Sequence, residues 1–360
     1  MKANIALQLA WRIVKVGFGS FGRRKSAADF QKLLERYGPV FRVAPNEQFL
    51  KDSLWWARQP GHPDSLLSKI SPEKHAHMRR TLSPGFTARA LRQQEPFIQK
   101  YVNLLVAQLQ DVVKEAKGVE VSMTPWFNYT TSDIFGDLGF VESVKAAGFV
   151  VSTRYYPLVE SILLKCIPLS MRKIQRDHYQ QIVDKVQRPN LMSHLIEEGG
   201  ALRLHAGEVF ATFMIFTTAG SETTATALTG VLNYLVNHSP DSLRQFEDEI
   251  RGTFSTTEDI TLEAVRNLPF LNAVIKASDL SDPNSCFFND RRQAVQPFTI
   301  GPRARLGQQL AWAEMRLILA KLVWTFDFEA IKGQCVRWEH LRTYLLVKRK
   351  PINVRIALRR

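Results

Sequence analysis

The run Pro297-Phe-Thr-Ile-Gly-Pro-Arg-Ala-Arg-Leu-Gly-Gln-Gln-Leu-Ala-Trp-Ala-Glu314 decides how this chain is read. A Phe, two glycines and two prolines cluster just before an apolar helical pattern. Glycine allows tight turns and close backbone approach, and a helix N-terminus presents unpaired N–H groups. The run predicts a tight loop leading into a strong helix. Leu306, Leu310, Ala313, Leu317, Ala320 and Trp324 recur at helical spacing and form its expected core face. On these residues alone, an anion-binding turn and a plain helix start fit equally well.

A second segment lies upstream. Residues 203–238 read as one long apolar helix, and between Val209 and Val236 Glu222 is its single charge. That stretch is rich in Thr, Ser, Gly and Ala, so a helix buried in protein fits better than a membrane span. Its middle reads Ala219-Gly-Ser-Glu-Thr-Thr224. Gly220 is a poor helix former, and the Thr223 hydroxyl can bond a carbonyl one turn back and loosen the helix. An acid beside an alcohol in a buried local opening suits proton delivery, although such a stretch is more often packing.

The rest of the chain bounds the class. Its 360 residues allow one large domain or two ordinary ones, and 45% hydrophobic content excludes global disorder. Cys166, Cys286 and Cys335 are too few and too scattered for a disulfide framework or a structural zinc site. The net charge of +14 sits at the ends: residues 1–27 hold six basic residues and no acid, and 331–360 hold nine against Glu339, leaving 33 of each sign between. No nucleic-acid module accompanies these ends, so solvated termini are expected and nucleic acid is not. Residues 1–27 are broken by Arg12 and Lys15 and should not span a membrane. A helix lying on a membrane surface and an ordinary terminal helix both fit them.

Local signals give a mainly α fold with minor β. Tyr37–Asn46 reads as turn, strand and turn. Ser71-Pro72 should cap a short basic helix through Arg80. Glu95-Pro96 should open a longer helix with Phe97, Tyr101, Leu104, Leu105 and Val112 on one face. Near the C-terminus Ile352, Val354, Ile356 and Leu358 alternate with Asn353, Arg355, Ala357 and Arg359, which with Tyr344–Val347 predicts a hairpin.

Taken together, the chain resembles the cytochrome P-450 family of haem-thiolate monooxygenases, in particular its fungal members. Phe298, Gly301, Arg303 and Gly307 match the family's Phe-x-x-Gly-x-Arg-x-Cys-x-Gly signature, and Ala219–Thr224 matches its oxygen-activating helix. His75 and Arg79 match the helix whose basic residues hold one haem propionate, and Arg303 would hold the other. The runs Arg58–Pro63, Leu268–Ile275, Asp290–Arg292 and Glu314–Ala320 also resemble the fungal members. The resemblance implies a cytochrome P-450-like fold, haem as cofactor, a hydrophobic small molecule such as a terpenoid or polyketide as substrate, and an NADPH-dependent reductase as electron source. It also implies that Glu222 and Thr223 relay protons. Membrane association is expected to be weak or absent, with the protein cytoplasmic or peripheral on the endoplasmic reticulum.

Two departures stand out. Arg305 occupies the position of the iron-ligating Cys. A thiolate pushes electron density to haem iron, whereas a guanidinium stays protonated and has no lone pair to offer. The family's Glu-x-x-Arg pair is replaced by Ala277 and Leu280, and a family segment is missing at 277–290. A smaller contraction is expected near Gln187–Asn190. The organisation expected is therefore a basic segment, 1–27, followed by one truncated cytochrome P-450-like domain, 28–360. Three functional expectations follow: a catalytically inactive homologue, an active monooxygenase with an incomplete gene model, and a haem-free protein that binds a hydrophobic ligand or a reductase.

Overall fold

The structure is a computed structural model and describes residues 63–67, 71–114, 118–139, 204–275, 298, 304–333, 336, 341 and 349–359. Residue contacts divide the chain into two units, Met1–Ser53 with Val336–Lys350, and Leu54–Cys335 with Pro351–Arg360. The elements below all belong to the second unit. The expected features of residues 1–27, the Tyr37–Asn46 strand, Gln187–Asn190, 277–290, Asp290–Arg292, Gly301 and Arg303 lie outside the described residues.

Helix α1, Pro72–Leu82, begins as its sequence predicts. The Ser71 hydroxyl accepts the Lys74 N–H at 3.2 Å, and Pro72 occupies the first turn, where no intrahelical N–H bond is lost. A short 3-10 turn, η1 at Ser83–Phe86, follows. Helix α2 spans Ala88–Lys114 and corrects two expectations. It starts before Glu95, because Thr87 caps it by accepting the Ala90 N–H at 3.3 Å, and Pro96 lies inside it on an exposed position. Its buried stripe is Ile98, Val102, Leu105, Val106, Leu109 and Val113. Phe97 and Tyr101 are only half-buried and Leu104 is exposed, so the expected face is rotated by about one residue. The β-branched and Leu positions won over the aromatics, which reach water with part of their rings.

Helix α3, Met123–Gly139, packs along helix α4, Ala206–Asn237, in the most extensive helix pairing of the described fold. Helix α5, Pro240–Thr253, a 3-10 turn η2 at Ala264–Asn267, and helix α6, Pro269–Ile275, lead towards helix α7, Gln308–Thr325. Helix α7 packs against α2, α4, α5 and α6. Leu310, Leu317 and Ala320 are fully buried, as expected, but so are Ile318, Leu319 and Leu322, so the second half is buried all round rather than on one face. Each such side chain contributes roughly 1.5–3 kcal/mol over its exposed state, which makes α7 the densest stabilising element.

A three-stranded antiparallel sheet completes the unit. Strands β1, Val119–Ser122, and β2, Phe326–Ala330, flank the central β3, Asn353–Leu358. Val121 pairs with Val354, and Phe328 with Ile356. Val354 and Ile356 are buried while Arg355 is exposed, as alternation predicts. The expected hairpin is corrected: both edges of β3 are taken, by β1 and β2, and Tyr344–Val347 lie outside the described residues. Among the described residues no helix is long and apolar enough to cross a membrane, α4 included.

Candidate functional site

Helix α4 carries its polar residues inward without breaking. The Thr223 hydroxyl donates to the Ala219 carbonyl at 2.5 Å, the bond expected from sequence. Ser221 donates to Thr217, Thr226 to Glu222, and Thr229 to Ala225, each to a carbonyl one turn back at 2.6–2.7 Å. The expected local opening is absent, because α4 is continuous from Ala206 to Asn237. Back-bonding hydroxyls add to carbonyls already used by the helix instead of replacing their bonds. Glu222 and Thr223 are both half-buried.

Gly220 has a steric explanation. A Cβ there would lie 2.1 Å from Phe135 Cζ on α3 and 2.4 Å from two neighbouring ring carbons. The ring covers the helix backbone where any other residue would stand. One position along, the single proton of the Thr131 hydroxyl of α3 is shared between the Ser221 carbonyl at 3.1 Å and its own Phe127 carbonyl at 2.8 Å. The Gly220-Ser221 step is therefore the docking point of α3.

The signature loop is held from α1 and from itself. Arg79 donates from Nη1 to the Ala304 carbonyl at 2.5 Å, and His75, one turn earlier, is 7% exposed. The Arg305 N–H donates to the Phe298 carbonyl at 3.1 Å, closing the loop ahead of α7. Its side chain is exposed. The Phe298 ring lies 6.0 Å from Trp312 on α7. Gly307 caps α7, and a Cβ added there would lie 3.9 Å from the Phe86 ring of η1, in ordinary contact. Phe86 in turn meets Phe216 of α4 edge-on at 5.3 Å. The residues brought together are thus Arg79, the 304–307 loop, Phe86 and Phe216, the last one helical turn before Ala219. Gly301 and Arg303 fall outside the described residues.

Phe86 was missed from sequence. Its signal was there in Ser83-Pro-Gly-Phe86, a turn punctuated by Pro and Gly that ends on an aromatic. Glu314 was also missed as a site residue. It is wholly buried, and both of its carboxylate oxygens lack a hydrogen-bond partner among the described residues.

Arg79 uses one of its five N–H donors on Ala304, so it retains capacity for an anionic group such as a propionate. The axial side of the site is different. Arg305 has no lone pair to give a metal, and its charge points to solvent. Among the described residues, the donor set does not fit a thiolate-ligated haem.

The family profile described as Cytochrome P-450 matches residues 51–166, 162–277 and 283–356 of this chain. The cytochrome P-450 monooxygenase atr2 of Stereocaulon alpinum is 28% identical, the match taking in 92% of this chain and 85% of that protein. The cytochrome P-450 monooxygenase cpaH of Aspergillus oryzae is 31% identical over 85% of this chain and 78% of its own length. The cytochrome P-450 monooxygenase lcsI of Purpureocillium lilacinum is 27% identical over 90% and 83%. The atr2 alignment runs over 434 positions, yet 92% of 360 residues is only about 331, so roughly 100 positions of that relative have no counterpart here. With the α4 motif, the α1 basic pair and the loop ahead of α7 in the order that family uses, this chain belongs to the cytochrome P-450 family and is a homologue of fungal cytochrome P-450 monooxygenases.

Proposed function

We propose that this chain is a cytochrome P-450-like homologue of fungal secondary metabolism that has lost haem-thiolate catalysis. The observation that carries this reading is Arg305, an exposed guanidinium at the position of the metal-ligating thiolate. Ala277 and Leu280, in place of the buried Glu-x-x-Arg pair, support it, because two losses in one functional unit point to relaxed constraint. The ancestral activity is oxidation of a hydrophobic small molecule, a terpenoid or polyketide, with electrons from an NADPH-dependent reductase. Glu222 and Thr223 are the remnant of its proton relay. His75, Arg79, Arg303, Phe298, Gly301 and Gly307 are the remnant of its haem cradle. The protein is cytoplasmic or peripheral on the endoplasmic reticulum, with residues 1–27 as a basic segment and 28–360 as one truncated domain.

The test is haem content together with a ferrous–carbon monoxide difference spectrum on the purified full chain. The expected outcome is no thiolate-type Soret band. Such a band would overturn the proposal, since a cysteine would then reach the iron. Arg305→Cys is expected to leave product turnover undetectable, because Ala277 and Leu280 still lack the supporting pair.

One observation favours a second reading. The roughly 100 unmatched positions in the atr2 alignment also suit an active monooxygenase whose coding sequence has lost segments in its gene model. A transcript that encodes extra residues between Lys276 and Asp290 would favour that reading; one that joins them directly would favour the first. Stabilisation of haem-free protein by an apolar ligand would instead identify a binding protein that keeps the pocket without the chemistry.

A further inference from the structure

Helix α7 carries three buried or half-buried ionisable side chains, and none forms a close ion pair among the described residues. Lys321 is 3% exposed, and its Nζ donates to Asn103 Oδ1 of α2 at 2.6 Å. Arg316 is half-buried and donates from Nε and Nη2 to Asn272 Oδ1 of α6 at 2.9 and 2.7 Å, with its guanidinium 5.2 Å from the Trp312 ring. Each cation is held by a neutral carboxamide. Glu314 has less still: it is 0% exposed, and neither carboxylate oxygen has a donor among the described residues. An ionised carboxylate left dry and unpaired costs several kcal/mol, so such a group keeps its proton instead.

The charges named next, on the elements packed around α7, are engaged elsewhere, and Glu95 and Glu258 act at longer range on Lys321, not on Glu314. Arg251 of α5 donates to the Val323 and Phe326 carbonyls and to Asp327 of β2, and Glu247 lies 3.7 Å from it. Glu249 of α5 accepts the N–H groups of Phe270 and Leu271 in α6, a helix with no titratable side chain. Glu95 of α2 accepts the Leu262 N–H, and Arg266 of η2 lies 3.7 Å from Glu263. On α4, Glu208 pairs with Lys74, and Glu222 is the helix's other acid. Burial alone acts on Glu314, and it raises the carboxyl pKa well above the ordinary value.

We propose that Glu314 is a proton-holding switch in the core: a neutral carboxyl in the folded chain, whose ionisation at rising pH releases the packing of α7. The unfolded chain gives up this proton at the ordinary carboxylate pH, while the folded chain retains it. Between those two pKa values the unfolded state binds fewer protons. The stabilisation is therefore fully present below the unfolded pKa and is lost as pH rises towards the folded one. Across that window the folding equilibrium constant falls about tenfold per pH unit. This inference does not depend on whether haem binds.

Urea unfolding of the full chain between about pH 5 and 9 tests it, with Glu314→Gln and Glu314→Leu beside the wild type. The expected result is a gap between wild type and Glu314→Leu that widens with pH, by up to tenfold in the equilibrium constant per unit. The infrared carbonyl stretch of a protonated carboxyl should persist in the wild type at neutral pH and lose the Glu314 contribution in both variants. Parallel pH profiles, or no protonated band at neutral pH, would overturn the proposal. If neither variant folds, the band decides alone, read in a background of Asp133→Asn and Glu247→Gln, because burial raises those two carboxyls as well.

Discussion

Helices α4 and α7 are both long and largely buried, yet they treat polar groups in opposite ways. The centre of α4 brings hydroxyls into the protein, and Ser221, Thr223, Thr226 and Thr229 each satisfy themselves on a carbonyl one turn back. Helix α7 buries charges instead, two cations on neutral amides and an acid on nothing described. A short hydroxyl side chain carries its acceptor with it, in the backbone that bears it. A charged side chain depends on some other segment to arrive with a partner. Those four hydroxyls are thus independent of changes elsewhere in the fold, although Thr224 Oγ1 of the same helix is buried with no partner among the described residues, while the α7 charges are exposed to such changes.

Four substitutions would break or sharpen that contrast. Leu317→Ala, at a fully buried position of α7, should cost about 2–5 kcal/mol by denaturant unfolding, as cavities in dense cores do. A loss below about 1 kcal/mol would mean α7 is not the rigid element described. Gly220→Ala should cost about 1–3 kcal/mol despite alanine's better helix propensity, because its Cβ would enter the Phe135 ring. Pairing it with Phe135→Leu should recover part of that loss, and strict additivity would show that the ring is not the cause. Thr131→Val should cost about 1 kcal/mol, the net worth of its bond to the Ser221 carbonyl across the helix pair. Thr223→Ala should lie within about 0.5 kcal/mol of the wild type, since its hydroxyl bonds only a carbonyl of its own helix. A clear destabilisation by that last change would reveal a second partner for Thr223.

The sequence showed what depends on neighbours along the chain. The Ser71 cap, the extent of α4, the alternation at Val354 and Ile356, and the Thr223 back-bond are all local, and all were legible. Helix α2 starts ahead of the Glu95-Pro96 signal because Thr87 is the residue that caps it. Proline on an exposed face costs a helix one bond, and a helix capped at Thr87 and packed along its buried stripe absorbs that loss. The partners of β3 were misread because strand pairing is decided by distant segments, and the nearest alternating run is only the simplest candidate. In the candidate site, the types of His75, Arg79 and Gly307 were readable, and the bond from Arg79 to Ala304 was not. The steric meaning of Gly220 needed Phe135, a residue 85 positions away in sequence, to be placed against it. Glu314 looked like an ordinary polar position in a helix. Only its complete burial makes it informative.

The order of the strands bears on how the chain is made. β1 and β2 have no bond to one another, and both rely on β3, the last of the three to be synthesised. Until Asn353–Leu358 leaves the ribosome, both earlier strands lack the partner they pair with here, and β1 waits the longer of the two. The sheet is therefore closed only after synthesis has passed it, and the nascent chain is the state in which a chaperone has most to protect.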